Sequence, residues 1–289
     1  MQQIKIIIIV LILSTLMLLP RVPAGQSVDI HNISAYYGFQ EMEIIKLDWG
    51  INNLQIADFN GDGRNDIAVV NNRKAKIELL LQKEAIGPSA PPVIVTGEDE
   101  DINILSGPTR FDRQAVAVSQ KIYSFVCGDL NSDGMIDLAF YGEPKGLYVI
   151  LQKATPIEQT AGSKQKESKL RTLSWQTRKK IKIDDGLLTT NALICADLNN
   201  DNKDDLVLAG RDKVYILTQE QGYLSEPAEY PVGETILSVE VGDLNGDHIN
   251  DLILITNDKD KPLHVRFGLA PGRLGPQIRF FIERPLVLK

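Results

Sequence analysis

Apolar and polar positions alternate along most of this chain in short runs separated by polar turns, and the runs recur in the same order four times. A period of two marks a β-strand with one face buried. The first run of each copy places apolar residues at alternate positions: Leu54 and Ile56, Phe125 and Cys127, Leu193 and Cys195, Val239 and Val241. The second run is apolar throughout, as in Ile67-Ala68-Val69-Val70, Leu138-Ala139-Phe140-Tyr141, Leu206-Val207-Leu208-Ala209 and Leu252-Ile253-Leu254-Ile255. Unbroken runs of this length predict strands covered on both faces. A third strand is predicted over 76–81, 147–151, 213–217 and 263–267, and a fourth over 115–118, 178–183, 228–232 and 277–282. Four antiparallel strands per unit, repeated at intervals of about 45 to 70 residues, make the blade of a β-propeller. The expected fold is therefore all-β, a propeller of four four-stranded antiparallel blades. A further strand over 39–47 precedes the first blade. One strand too many leaves three arrangements open: an open arc, a strand handed to a neighbouring subunit, or a truncated gene product. An incomplete ring, with self-association through its ends, is the expectation.

Between the first and second runs of every copy lies the nine-residue pattern Asp-x-Asn-x-Asp-x-x-x-Asp. Oxygens at positions 1, 3 and 5, the main-chain carbonyl of position 7 and the Asp at position 9 suit a hard cation. Calcium takes six to eight oxygens at flexible geometry, whereas magnesium demands a stricter octahedron and keeps its waters. The predicted calcium ligands are Asp58, Asn60, Asp62, Arg64 and Asp66 in the first loop and Asp129, Asn131, Asp133, Met135 and Asp137 in the second. In the third they are Asp197, Asn199, Asp201, Lys203 and Asp205, and in the fourth Asp243, Asn245, Asp247, Ile249 and Asp251. Arg64, Met135, Lys203 and Ile249 would contribute only their carbonyls. An EF-hand is excluded, because it requires Glu at position 12 and flanking helices, and position 12 here is Val69, Phe140, Leu208 or Leu254. Position 6 calls for a left-handed backbone, which suits Gly63 and Gly134, is tolerated by Asn202 and is least suited to His248. That order ranks the first two loops as the strongest sites and the fourth as the weakest.

With these residues in hand, the copies resemble FG-GAP/VCBS repeats, the propeller blades of integrin alpha-subunit heads and of many secreted bacterial proteins. Ala57-Asp58-Phe59-Asn60-Gly61-Asp62-Gly63 and Gly128-Asp129-Leu130-Asn131-Ser132-Asp133-Gly134 carry the likeness, with Gly222-Tyr223-Leu224 and Gly272-Arg273-Leu274 similar to the element which that family places between its outer strands. The likeness spans residues 38–289. It implies up to four calcium ions at the loop positions named above and blades set around an axis. The family's integrin-like propellers have seven blades, against four loops here.

Lys5 precedes an uninterrupted apolar or small stretch from Ile6 to Leu19, followed by Val22-Pro23-Ala24. This is the pattern of a secretory leader over 1–24, with 25–37 as a tail. A retained anchor is the alternative, against which stands the length, since a bilayer span needs about 20 residues. The expected location is extracellular, periplasmic or at the cell surface, where calcium sites as weak as about 10⁻⁴ to 10⁻³ M still fill. The net charge is −7, and the leader takes Lys5 and Arg21 with it. Four divalent ions would nearly neutralise what remains, and without them the clustered carboxylates repel. Metal binding and folding are therefore expected to be coupled.

The two cysteines, Cys127 and Cys195, occupy equivalent places and read first as small core residues, with a disulfide between neighbouring blades as the other reading. His31, His248 and His264 are scattered, without a Ser or Cys nucleophile beside them. No catalytic constellation, phosphate-cradling loop or basic stripe is present, which argues against enzymes and nucleic-acid binders. Residues 84–112 and 153–172 read as loops capable of carrying partner contacts, and Asn32-Ile33-Ser34 fits a glycosylation sequon. The functional expectation is a non-enzymatic interaction or adhesion module with a protein or glycan partner. A carbohydrate-binding or carbohydrate-active propeller is the alternative.

Overall fold

The computed structural model describes residues 45–84, 110–154, 172–269 and 273–282. The leader, the sequon, His31 and most of both loop insertions lie outside these residues, as does most of the expected strand over 39–47, whose last three residues carry no strand. Residues Lys46–Lys289 form one compact unit.

All regular structure among the described residues is β. The first blade is β1 (Ile51–Ala57), β2 (Asp66–Asn71), β3 (Lys76–Gln82) and β4 (Phe111–Ala117). In the second, β5 (Lys121–Gly128), β6 (Asp137–Glu143) and β7 (Gly146–Ile150) are followed by a ribbon of β8 (Gln152–Lys153) and β9 (Ser174–Trp175) before the outer strand β10 (Lys179–Ile181). The third repeats this with β11 (Leu193–Ala196), β12 (Asp205–Ala209), β13 (Lys213–Leu217), a ribbon of β14 (Gln219–Glu220) and β15 (Tyr223–Leu224), and β16 (Ala228–Pro231). The fourth has β17 (Ile236–Gly242), β18 (Asp251–Thr256), β19 (Leu263–Arg266), a ribbon of β20 (Gly268–Leu269) and β21 (Arg273–Leu274), and β22 (Ile278–Phe280). Each blade is a four-stranded antiparallel sheet in simple sequential order, its ribbon standing apart as a separate two-stranded sheet.

The four expected strands of every blade are all present, with changes at their ends. β4 begins earlier than expected because it pairs with the whole of β3, from Lys76 opposite Ala117 to Gln82 opposite Phe111. The other outer strands are shorter, β10 and β22 having three residues each. The ribbons were not expected as strands. They form because Tyr223-Leu224 and Arg273-Leu274 fold back on the chain just past the third strand.

Period-two geometry gives each blade two faces, and three apolar clusters join blade to blade. The first gathers Ala68, Val70, Ile77 and Leu79 of blade one with Phe125, Leu138, Phe140 and Ile150 of blade two. The second joins Val126, Ala139, Tyr141 and Leu147 to Leu193, Leu206, Leu208 and Leu217 of blade three. The third joins Val207, Ala209 and Ile216 to Val239, Leu252 and Leu254 of blade four. Each such side chain is nearly water-free, and each Val, Leu, Ile or Phe among them contributes about 1.5 to 3 kcal/mol. The inner strands β1, β5, β11 and β17 lie side by side in that order. No cluster among the described residues joins blade four back to blade one, so the blades make an open, propeller-like arc.

Cys127 and Cys195 are both free thiols. They pack into the first and second clusters respectively, and burial pushes both thiols up, Cys127 to about 12. Small core residue is the reading that fits these thiols.

Candidate metal centres

Each Asp-rich loop connects a blade's first strand to its second, and its backbone is wound around the position-1 carboxylate. In the first loop Asp58 Oδ1 accepts from the N–H of Gly61 at 2.8 Å and of Asp62 at 3.0 Å, while Oδ2 accepts from Gly63 at 2.7 Å. Asp129 receives Asp133 and Gly134, Asp197 receives Asp201 and Asn202, and Asp243 receives Asp247 and His248 in the same way. Position 3 repeats the device: the Oδ1 of Asn60, Asn131, Asn199 and Asn245 accepts the position-5 N–H at 2.9 to 3.0 Å. Asp62, Asp133, Asp201 and Asp247 then accept the position-7 N–H through Oδ1.

Two residues per loop must be left-handed for this winding. Position 6 is, with φ of 82° at Gly63, 78° at Gly134, 60° at Asn202 and 67° at His248. Position 4 is as well, at Gly61, Ser132, Asn200 and Gly246. Position 6 alone was expected to be left-handed, although Gly, Asn and Ser at position 4 carry the same compositional signal.

Position 9 does something different. The carboxylates of Asp66, Asp137, Asp205 and Asp251 are fully buried. One oxygen accepts the N–H of loop position 2, and the other accepts the N–H just past or at the end of the third strand, at Gln82, Gln152, Gln219 or Gly268, at 2.7 to 2.8 Å. This residue therefore staples the loop to the third strand. Burial, opposed by those two N–H bonds and reinforced by the carboxylates of its own loop, holds Asp137 up at about 7 and Asp205 at about 6, and raises Asp66. At position 1 of the last loop the balance reverses: the N–H of His248, above all, lowers Asp243.

The loops bring positions 1, 3, 5 and 7 together. Among the described residues no group of three or more His, Cys, Asp or Glu side chains is gathered as a metal-holding set. The donor set is instead mixed, carboxylate with Asn amide and main-chain carbonyl, all oxygen. A carboxylate oxygen has two lone pairs, so one N–H bond leaves further acceptor capacity. Cations already sit at two loops, with Arg64 Nη2 at 2.6 Å from Asp62 Oδ2 and Lys203 Nζ at 3.2 Å from Asp201 Oδ2. Met135 and Ile249 offer no such charge in the second and fourth loops.

Sequence reasoning passed over the residues that tie each loop to its neighbour. Gln152 Nε2 donates to Phe59 O at 3.0 Å, and Gln219 Nε2 donates to Asp129 O at 2.7 Å. At loop position 8, Asp204 Oδ2 accepts from Asp129 N at 2.8 Å and Asn250 Nδ2 donates to Asp197 O at 2.6 Å. The recurrence of Gln at 82, 152 and 219, within a residue or two of the same distance past the second strand's start, was the available signal.

Fold and loops together define a repeat protein of four-stranded antiparallel blades, each carrying an Asp-rich turn between its first two strands. Residues 197–254, which run from the third loop through blade three and into β18, match the FG-GAP-like repeat family, so this stretch carries an FG-GAP repeat. No curated protein matches the chain. The repeat is that of β-propeller interaction modules, generally without enzymatic activity.

Proposed function

We propose that this chain is an extracellular interaction module in which calcium serves as a structural ion in the blade loops, and that it carries no catalysis of its own. The observation that carries the reading is the fourfold recurrence of one backbone winding around the position-1 Asp at an all-oxygen loop. The residues that would hold the ion are Asp58, Asn60, Asp62, the Arg64 carbonyl and Asp66, with their equivalents in the other loops. Oxygen donors without Cys or His suit calcium over softer metals. The upward push on Asp66, Asp137 and Asp205, to which neighbouring carboxylates add, supports a site that a cation would relieve. The ion would supply charge neutralisation, tying strand one to strand two. The leader pattern over 1–24 supports an extracellular location, and the binding partner is a protein or glycan. For the glycan-active alternative, Trp175 packs against the first core cluster, while Trp49 beside blade one and Tyr223 in the ribbon of blade three are exposed aromatics, on separate blades.

A thermal melt in chelator, in calcium and in magnesium tests this. At ten times its dissociation constant, a calcium ion bound only by the folded state adds about 1.4 kcal/mol per loop, or roughly 3 to 6 °C for a unit of this size. Calcium should raise the midpoint and magnesium should do little. An unchanged midpoint in calcium would reduce the loops to self-bonded turns.

A further inference from the structure

Three side chains of blade four clasp the end of blade three's outer strand. Arg266 Nη2 donates to Pro231 O at 2.8 Å, Gln277 Nε2 to Val232 O at 3.1 Å and Arg279 Nη2 to the same carbonyl at 3.5 Å. Behind this clasp, on β19 and away from the Asp-rich loops, stands His264, wholly buried.

The partners of His264 define its protonation state. A carbonyl only accepts, so Val232 fixes which end of the Gln277 amide carries the hydrogens, and that NH2 also lies 3.1 Å from His264 Nδ1. Nδ1 is therefore the acceptor and Nε2 carries the proton. Nε2 is 3.3 Å from Thr256 Oγ1, which accepts from it and from the N–H of Asp258 while donating to Pro262 O. The neutral ring is thus partnered at both nitrogens.

A second proton has no such place. At Nδ1 it would confront the Gln277 NH2, donor against donor. The charged groups around the ring do not offset this. β18 sets only Leu254 and Thr256 against it, neither charged. The turn over 257–262 brings Asp258, whose Oδ2 is 4.0 Å from Nε2 but also 3.8 Å from Arg279 Nη1, and whose Oδ1 already accepts the N–H groups of Asp260 and Lys261. β22 places Arg279 opposite His264 in register. Burial first, then the Arg279 guanidinium, hold the imidazole below the usual histidine range, against the pull of the Lys261 carbonyl, Asp258 and Glu234. One relief is at hand. Gln277 Oε1 is buried and has no hydrogen-bond partner, and a half-turn of the amide offers it to an Nδ1–H. The same half-turn withdraws Nε2 from Val232 O, which then keeps only the longer bond from Arg279.

We propose that His264 makes the clasp between blades three and four a proton-operated latch, closed while the ring is neutral and released when acid protonates Nδ1 and turns the Gln277 amide. The sign follows from linkage. A ring held neutral in the folded chain and titrating freely in the unfolded one contributes stability that is whole above about pH 7 and is lost as pH falls through about 6.5. The buried position-9 carboxylates pull the other way, so the latch is measured as a difference between chains that share them. It requires neither calcium in the loops nor a bound partner.

Ring-nitrogen NMR of the purified chain from about pH 5 to pH 8 should show His264 in the Nε2–H form at neutral pH and titrating below about 6.5, its signals identified by their loss in a His264→Asn chain. The Asn Oδ1 keeps an acceptor for Gln277 but takes no proton. In chelator, urea midpoints at about pH 7.5 and pH 5.5 should show acidification costing the parent up to about tenfold more in folding constant than His264→Asn. Hydrogen exchange of β16 and β22, taken relative to β6 in the same sample, should quicken in acid in the parent and not in the variant. Gln277→Glu, which sets a carboxylate against Nδ1, should instead raise the ring's titration by about one unit or more, and it tests the latch even if the Asn chain does not fold. An Nδ1–H ring, a parent titration at or above about 6.5, equal acid sensitivity of parent and His264→Asn, outer strands that exchange in step with β6, or no rise in Gln277→Glu would overturn the proposal.

Discussion

Replacing Arg64 with Met is expected to tighten calcium binding at the first loop. Arg64 Nη2 lies 2.6 Å from Asp62 Oδ2, and the two side chains are 34 % and 24 % exposed. A divalent ion bound there would share that carboxylate with the guanidinium and be repelled by it. Two unit charges at 4 Å in water interact by about 1 kcal/mol, doubled for a divalent ion and roughly halved again by salt and by the freedom of a long side chain. The gain is about 1 kcal/mol, or roughly fivefold in affinity. The ligand set survives the change because position 7 would offer only its carbonyl, and the second loop has Met at that place. Arg64 Nε also donates to Gln82 O at 3.2 Å. Losing that bond costs about 1 kcal/mol of fold stability, with and without the ion, so it cancels from the affinity. Calcium titration calorimetry of the chelator-stripped chain reads the difference, with Met135→Arg as the reciprocal change that should loosen the second loop. Unchanged or weaker binding in the Arg64→Met chain, its fold intact, would refute the electrostatic reasoning.

Two further outcomes follow from the same geometry. In chelator, the folded chain holds Asp137 at about 7 and Asp205 at about 6 chiefly through burial, while the unfolded chain titrates them near 3.9. The folded state thus keeps protons that the unfolded state has lost, and stability should fall as pH rises from about 4 to about 7 and level off above. Urea midpoints at about pH 5 and pH 8 check the sign, and an equal or higher midpoint at the higher pH contradicts it. Gly128→Ala should destabilise by about 1 to 3 kcal/mol through overpacking, because a Cβ there would lie 2.5 Å from both Asp204 Oδ2 and Cys195 Sγ where blades two and three meet. A urea midpoint matching the parent chain would show that the junction has slack.

Local chemistry made the blades legible. Period-two runs, the Asp and Asn spacing and the polar turns all act over a few residues, and β13, for example, has the expected bounds, Lys213–Leu217. The left-handed turn at position 6 was equally readable, because few residue types adopt it cheaply. What escaped depends on distant partners. The two N–H groups that claim Asp137 belong to Leu130 and Gln152, and the second is fixed only once the third strand has found its register. The latch from Gln219 to Asp129 O spans 90 residues, so no window of sequence contains both ends. Nor could the pattern tell which apolar residues would lack cover: Leu54 and Leu193 look alike in the chain, and only the packing order separates them.

Because the apolar clusters among the described residues join each blade to its sequence neighbours, the unit behaves as a short one-dimensional array in which stability is a sum of blades and junctions. Blades two and three bury both faces against protein, whereas blades one and four each have a single junction among the described residues. Unfolding therefore has two natural starting points, the outer blades, and cooperativity decays inwards from them. Whatever caps those ends would act on the whole array as a zipper stop.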